Sequence, residues 1–480
     1  MRYNIVLRYV GFVMLLNAAL MLLSAAVGYI KGFDSGFYPL TLSALLAAAL
    51  GAFPLIFVGR GQRISAKESY SIVVGSWLMS CVVGMLPYLL WGGEFDVAGA
   101  WFESVSGYTT TGSTILNNVE ALPRSLLMWR SLTHWMGGLG VVMFVMVVLP
   151  NIGSSKKTMA GVEISSMAQD NFRYKSATVL RIMLSVYFGI TIASALLLRL
   201  AGMSWFDAVN HAFSVASTGG FSTRNLSVAA FDSVWIEVIL SFFMILSGVH
   251  FGLIFATVTG KYNNMFRSEV VRYYLASVAI AGIIVSLSLW SEGIYGFWEA
   301  FRHGTFQTFA VASTTGFATA DSTTWSSLAI VVLIFMSIQC ACAGSTSGGM
   351  KCDRVCLAFK VIRARIKQQQ HPAAVIRIKL NGVILDSSTV SFVLLFIVAY
   401  FAMIMLGSIL MTACGMDLIT GFTATIACIG NVGPGFGSVG SLDNFSGIGT
   451  VAKYICTILM LMGRLEIFGL VQLFLLKWWK

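Results

Sequence analysis

Four short polar strings carry the residues best suited to chemistry in this 480-residue chain. They are Thr109-Thr110-Thr111-Gly112-Ser113, Ser217-Thr218-Gly219-Gly220-Phe221, Ser313-Thr314-Thr315-Gly316-Phe317 and Gly430-Asn431-Val432-Gly433-Pro434. Three are hydroxyl-rich runs ending in glycine, and the fourth reads Asn-Val-Gly. Backbone carbonyls and threonine hydroxyls gathered around one axis can replace the hydration shell of a dehydrated cation. Glycine suits such a string because a Cβ hinders the dihedrals that turn successive carbonyls inward. The residues expected to do this are Thr110, Thr111 and Gly112, then Ser217, Thr218 and Gly219, then Thr314, Thr315 and Gly316, and finally Asn431, Val432 and Gly433. A lone Ser-Thr-Gly is an ordinary turn between helices. Four in register, roughly a hundred residues apart, are an internal repeat, which outweighs any single motif.

The elements that must position these strings are membrane helices. The chain is 57% hydrophobic and 11% charged, where soluble domains carry about 25% charged residues, and its mean hydropathy is +0.82. Such a composition excludes most cytosolic enzymes and any nucleic-acid binder. Apolar runs long enough to span a bilayer lie at about 5–30, 39–59, 69–92, 126–150, 178–202, 232–259, 272–291, 325–350, 388–413 and 448–478. Shorter semi-polar segments at 98–111, 204–218, 297–315 and 417–432 suit re-entrant helices, each with an acidic residue near its start: Glu103, Asp207, Glu299 and Asp417. Irregular backbone at membrane depth survives only when buried in protein or lining a water-filled path. The expected organisation is two N-terminal transmembrane helices (1–66) and four helix–re-entrant helix–helix repeats at 67–160, 161–265, 266–370 and 371–480.

Charge supplies an orientation. Arg2, Arg8, Arg60, Arg63, Lys67, Lys156, Lys157, Arg173, Lys175, Arg181, Lys261, Arg267, Arg272, the stretch from Lys351 to Lys379, Lys477 and Lys480 fall at the ends and at alternate connections. The opposite connections hold acids such as Asp34, Glu94, Glu120, Asp232, Glu292, Asp321 and Asp443. The positive-inside rule then places both termini in the cytoplasm. The N-terminal run reads as a retained span, being longer than a signal peptide's apolar core and lacking an A-x-A site. The eight cysteines include Cys340/Cys342 and Cys352/Cys356, whose spacings differ from those of structural zinc sites, so packed thiols are expected. The histidines form no metal-hydrolase pattern.

Three further features stand out. The small-residue run Gly344-Ser345-Thr346-Ser347-Gly348-Gly349 interrupts the span that begins near Trp325. Close helix packing is one reading of it; a helix broken where it lines a pathway is the other. Arg464 falls inside the last apolar run, where a charge is costly and functional by default. Glu466 is two residues away and faces elsewhere on a helix, which leaves Arg464 either near the path or paired with another helix. Gly435-Phe436-Gly437-Ser438-Val439-Gly440 spells a dinucleotide fingerprint without the strand and helix that such a motif needs. Lys360 to Lys379 meets anionic lipid, an acidic partner or only water.

The four-unit pattern, with Thr-Thr-Gly, Ser-Thr-Gly-Gly-Phe, Thr-Thr-Gly-Phe and Asn-Val-Gly-Pro-Gly, resembles the Trk/Ktr/HKT superfamily of potassium transporters. Two extra N-terminal spans and the length resemble its bacterial TrkH/TrkG-type membrane subunit. That resemblance implies an all-α polytopic membrane protein with four M1–pore-helix–M2 repeats around one pore. It implies potassium uptake across the bacterial inner membrane, with K⁺ held at Thr110, Thr111, Ser217, Thr218, Thr314, Thr315, Asn431 and Val432. It also implies a homodimer in membrane lipid, a cytoplasmic nucleotide-binding regulatory subunit of the TrkA type, and no organic cofactor on this chain. The Gly344–Gly349 loop becomes the gate beneath the filter and Arg464 its charged neighbour. In plant relatives a serine at the first filter glycine accompanies sodium transport; here that position is Gly112.

An alternating-access symporter coupled to H⁺ or Na⁺ is the rival, and so is an Na⁺-permeable cation transporter. Alternating access predicts paired inverted repeats, whereas these four units run in one orientation. An intramembrane enzyme lacks every expected motif. If Gly112 supplies an inward carbonyl, Gly112→Ser lowers the K⁺/Na⁺ permeability ratio more than it lowers expression, read as bi-ionic reversal potentials. An unchanged ratio in a folded variant contradicts the filter assignment.

Overall fold

The computed structural model describes residues 2–30, 32–59, 65–148, 176–260, 264–374, 376–467 and 469–470. Among the basic residues used for orientation, Arg60, Arg63, Lys156, Lys157, Arg173, Lys175, Lys261, Lys477 and Lys480 lie outside them. Helices α1 (Tyr3–Ile30) and α2 (Phe37–Phe57) form an N-terminal hairpin. A side chain at Gly11 would meet the Gly51 carbonyl, and one at Gly51 the Gly11 carbonyl, each under 3 Å. The two backbones therefore touch directly, as small residues permit in membrane helices.

Four units of similar order follow. Their first helices are α3 (Ala66–Trp91), α6 (Ser176–Leu200), α10 (Glu269–Ser291) and α14 (Ser387–Ala413). Their short helices are α4 (Val97–Tyr108), α7 (Trp205–Ser217), α11 (Phe297–Ala312) and α15 (Leu418–Gly430). Their second helices are α5 (Arg124–Val148), α8 with α9 (Val234–Ser247, Phe251–Val258), α12 (Ser327–Gln339) and α16 (Thr450–Arg464). Helix α13 (Cys352–Gln370) leads from the third unit to the fourth, through a two-residue hairpin pairing Lys379–Leu380 with Val383–Ile384. That hairpin is the one strand element among the described residues. The architecture is otherwise the helical membrane fold expected.

Among the described residues, six helices are long and apolar enough to cross a bilayer: α1, α2 and the four first helices. The four second helices differ, and each difference has a local cause. Helix α5 carries Arg124, Arg130 and His134. The run 232–259, expected as one span, bends by 107° between α8 and α9 at Gly248-Val249-His250. Helix α12 stops at Gln339, where Cys340 takes φ +56° and opens the small-residue run. The helix of the last run breaks after Arg464, where Glu466 and Ile467 take φ of +52° and +49°, and the part of that run expected at 471–478 lies outside the described residues. Arg464 therefore ends a helix instead of sitting in the middle of one.

The short helices are 12, 13, 16 and 13 residues long, or about 18–24 Å at 1.5 Å per residue, less than a hydrocarbon core of about 30 Å. Three of them start at a side-chain cap; α11 starts at Gly296, which has none. Asp96 accepts from Gly99 N, Ser204 from Asp207 N and Asp417 from Thr420 N. Asp417 is thus a cap and Asp207 lies in the first turn, but Glu103 lies two turns inside α4, where it does different work.

The N-terminal hairpin is fastened to the first unit by polar side chains buried in apolar surroundings. Asn17 of α1 donates to Ser80 Oγ on α3, and Tyr108 at the end of α4 donates to Asn17 Oδ1. Arg2 holds the Glu68 carboxylate with two guanidinium nitrogens at 2.8 and 2.9 Å, beside a Ser65–Glu68 capping box. The N-termini of α1 and α3 accordingly lie at one level.

Candidate functional site

The four strings follow the C-terminal ends of the four short helices and repeat one backbone pattern. Thr110, Thr218, Thr314 and Asn431 take φ of +53°, +55°, +62° and +52°. Two residues on, Gly112, Gly220, Gly316 and Gly433 take +85°, +86°, +71° and +102°. The residue between stays at negative φ. In the second string the equivalent glycine is therefore Gly220 and not Gly219, and Ser217 is the last helical residue, a step before the string. A Gly-Gly pair in the sequence hides this register. The left-handed region is unfavourable for β-branched threonine, at about 1–3 kcal/mol per residue; asparagine tolerates it. Asn431 thus keeps the backbone of the other strings although its side chain departs from theirs.

The glycines close a ring. A side chain at Gly112 would run into the carbonyl oxygen of Gly219, at Gly220 into that of Thr315, at Gly316 into that of Val432, and at Gly433 into that of Thr111. All four contacts would fall under 3 Å. Each string lays its glycine against the middle carbonyl of the next, and the fourth returns to the first.

The threonine hydroxyls are hydrogen-bonded among the strings and their neighbours. Thr111 Oγ1 bonds Thr109 Oγ1 and accepts from Asn431 Nδ2, while Thr315 Oγ1 bonds Ser313 Oγ. Thr314 Oγ1 accepts from Gly348 N, and Thr218 Oγ1 donates to Ser217 O. These hydroxyls brace the strings, and Thr110 Oγ1 is buried without a hydrogen-bond partner. Asn431 Nδ2 also donates to Met460 O on α16.

A pocket of about 80 Å³ on one side of the ring touches all four ring glycines together with Arg130, Arg224 and Asp443. Arg130 is buried and bonds Glu103 at 2.8 Å. Glu103 accepts from Thr114 Oγ1 and Ile115 N, which fixes the outgoing leg of the first string. Arg130 also stacks on Phe221, 4.0 Å from its centroid, and donates to Ser222 O, which fixes the second. Sequence reasoning missed this pair; the signal was two opposite charges on helices of one repeat, Glu103 and Arg130. Gly435 to Gly440 forms only a short turn by this pocket, with no strand before it.

The segment from Cys340 to Lys351 lies on the other side. Thr346 Oγ1 donates to Ala216 O at the end of α7, and Gly348 N to Thr314 Oγ1 in the third string. A side chain at Gly348 would meet Gly430 O and Asn431. Arg464 donates to Thr346 O at 2.8 Å and to Gly137 O at 3.2 Å. Ser345 to Gly349 are buried and Gly344 is half-buried. Its flanks fill the break in the second unit: Cys342 N donates to Gly248 O, and Phe251 N to Gly344 O. Lys351 and Arg354, which open the basic stretch placed on the cytoplasmic side, are buried. Lys351 Nζ donates to Ser347 O, and Arg354 pairs with Glu466, so Glu466 serves Arg354 and not Arg464. The cysteines are free thiols, with Cys342 and Cys352 Sγ atoms 3.5 Å apart.

The family model for TrkH, described as cation transport protein, matches residues 41–281 and 294–478. The chain belongs to the TrkH family. Among its relatives, the Trk system potassium uptake protein TrkH of Salmonella typhimurium is 33% identical over all of both chains, and that of Escherichia coli K12 is 32% identical over the same span. The Trk system potassium uptake protein TrkG of Escherichia coli K12 is 32% identical over 88% of this chain and 87% of its own. The crystal structure of the potassium transporter TrkH from Vibrio parahaemolyticus superposes with a TM-score of 0.90, at 30% identity, and covers 100% of both chains. TrkH proteins are transporters, which sets the enzyme reading aside.

Breaking the buried Glu103–Arg130 pair leaves one uncompensated charge. Glu103→Leu or Arg130→Met alone is expected to cost about 3–5 kcal/mol, and the two together far less. Unfolding of the purified protein in a detergent titration measures the cycle.

Proposed function

We propose that this chain takes up potassium across the bacterial cytoplasmic membrane, through a single path that crosses the ring of strings. The closed glycine–carbonyl ring is the observation that carries this reading. Backbone of alternating hand turns neighbouring carbonyls to one side, and carbonyls from four strings can then replace the water around a K⁺ ion. The carbonyl ends of α4, α7, α11 and α15 add the negative ends of four helix dipoles, each about half a charge. The groups expected to hold the ion are the carbonyls of Thr110, Thr111, Thr218, Gly219, Thr314, Thr315, Asn431 and Val432.

The Gly344–Gly349 loop is the gate, with Arg464 as its latch. It sits against the inner ends of the strings, and its small residues can hold a second backbone arrangement at low cost. Arg464 raises the barrier to a cation there and ties Thr346 in place. In this reading both termini are cytoplasmic and two copies form a dimer. A nucleotide-binding regulatory subunit acts through α13, whose outer residues Arg363, Arg365 and Lys367 are exposed. Helix α13 begins at the end of the loop, so a pull on it reaches Lys351 and Ser347 directly.

Uptake of ⁸⁶Rb⁺ into proteoliposomes tests this. Flux is expected with no pH or Na⁺ gradient imposed; strict dependence on either gradient identifies a symporter and contradicts the proposal. Arg464→Ala is expected to conduct about tenfold faster, the effect of ~1.4 kcal/mol off the barrier. Shortening 344–349 is expected to give flux without the regulatory subunit while K⁺ preference is kept. A folded, dimeric shortened protein with wild-type flux shows that this segment is not the gate.

A further inference from the structure

A second cavity lies away from the path, between α1, α3 and α5. It measures about 290 Å³ and is lined by Phe12, Val13 and Leu16 of α1, Val73 and Trp77 of α3, and Gly137 of α5, among others. For comparison, an engineered apolar cavity of about 150 Å³ admits benzene. Its rim is open: Phe12 is 52% and Leu16 39% exposed. Trp77 and Gly137 at its inner wall are the residues that touch Arg464 from behind. The Arg464 guanidinium lies 5.9 Å from the Trp77 ring centroid, and Gly137 O accepts its Nη2 at 3.2 Å.

The depth of the rim decides what fills this space. Helix α1 has 28 residues, about 42 Å at 1.5 Å per residue, so it overhangs a hydrocarbon core of about 30 Å at each end. Phe12 and Leu16 fall in the middle of that length. The Arg2–Glu68 bond sets α3 at the same level as α1, so Val73 and Trp77 are at a similar depth. Outside such a rim the solvent is hydrocarbon, and the walls offer it an apolar surface.

We propose that this cavity binds one acyl chain of a membrane phospholipid, and that the bound chain holds Trp77 and Gly137 against Arg464. The coupling to transport rests on the gate assigned above; the binding itself does not. A filled cavity leaves Trp77 no room to withdraw, so Arg464 stays on Thr346 O and the loop stays beneath the strings.

The test uses the full chain reconstituted in two vesicle types, dioleoyl phosphatidylcholine and phosphatidylcholine brominated at mid-chain. The emission of Trp77, taken as wild type minus Trp77→Phe, is expected to be quenched by the brominated lipid. Val13→Phe, or Leu16→Phe if the first variant folds poorly, fills the cavity with a fixed ring and abolishes that quenching. Unquenched Trp77 in wild type overturns the site, whether another part of the chain, a second copy or nothing occupies it. The same filling variant is expected to lower ⁸⁶Rb⁺ flux about fivefold, the low end of site-to-site coupling, with the K⁺/Na⁺ ratio unchanged. Lost quenching with wild-type flux overturns the coupling to Arg464. In protein with 344–349 shortened, the filling variant should have no effect on flux. If shortening itself leaves flux unchanged, the gate assignment fails while the quenching result still decides the lipid site.

Discussion

Each ring glycine makes room for one carbonyl of the neighbouring string, and the remainder of the molecule is arranged so that all four contacts close together. Gly112 and Gly433 are far apart in sequence, yet Gly433 must meet Thr111 as closely as Gly112 meets Gly219. That requires four short helices ending at one level, which their side-chain caps at Asp96, Ser204 and Asp417 help to set. It also requires outgoing legs held firmly, which Glu103 and Arg130 do for the first two strings. Three threonines are kept in left-handed backbone at about 1–3 kcal/mol each. Packing of the surrounding helices offsets that strain.

The breaks in the second helices belong to the same design. Breaking a helix at membrane depth frees backbone groups that lipid cannot satisfy. Here the breaks satisfy one another. Gly248 O, freed between α8 and α9, accepts from Cys342 N, and Gly344 O accepts from Phe251 N. Thr346 O is met by Arg464 from the end of α16. Three interrupted helices thus make one interlocked layer against the inner ends of the strings, and a movement of the loop has to exchange these bonds as a set.

Much of this was legible in the sequence because apolar length and repeated Gly-Ser-Thr strings are local signals. The first helices and the short helices fall within a few residues of their expected limits. What was not legible depends on contacts between distant segments. Gly219 and Gly220 are adjacent and chemically identical, so only the folded backbone, through the φ of Gly220 and its contact with Thr315, selects Gly220. The run from Asp232 to Thr259 is apolar enough to read as one span, and its bend is stabilised by a loop some ninety residues later. Charge places Lys351 and Arg354 at the start of a cytoplasmic stretch, and only the fold gives each a buried partner, Ser347 O and Glu466. The hydrogen bonds that Thr109, Ser313 and Asn431 make with the string hydroxyls likewise depend on the folded register.

Whether the ring holds a dehydrated monovalent cation is decided most directly by anomalous scattering from crystals of the full chain in which Tl⁺ replaces K⁺. The closed ring predicts a Tl⁺ peak on its axis, at similar distances from the carbonyl oxygens of Thr111, Gly219, Thr315 and Val432. Ordered protein with no Tl⁺ within the ring, or with Tl⁺ bound only elsewhere in the molecule, contradicts it.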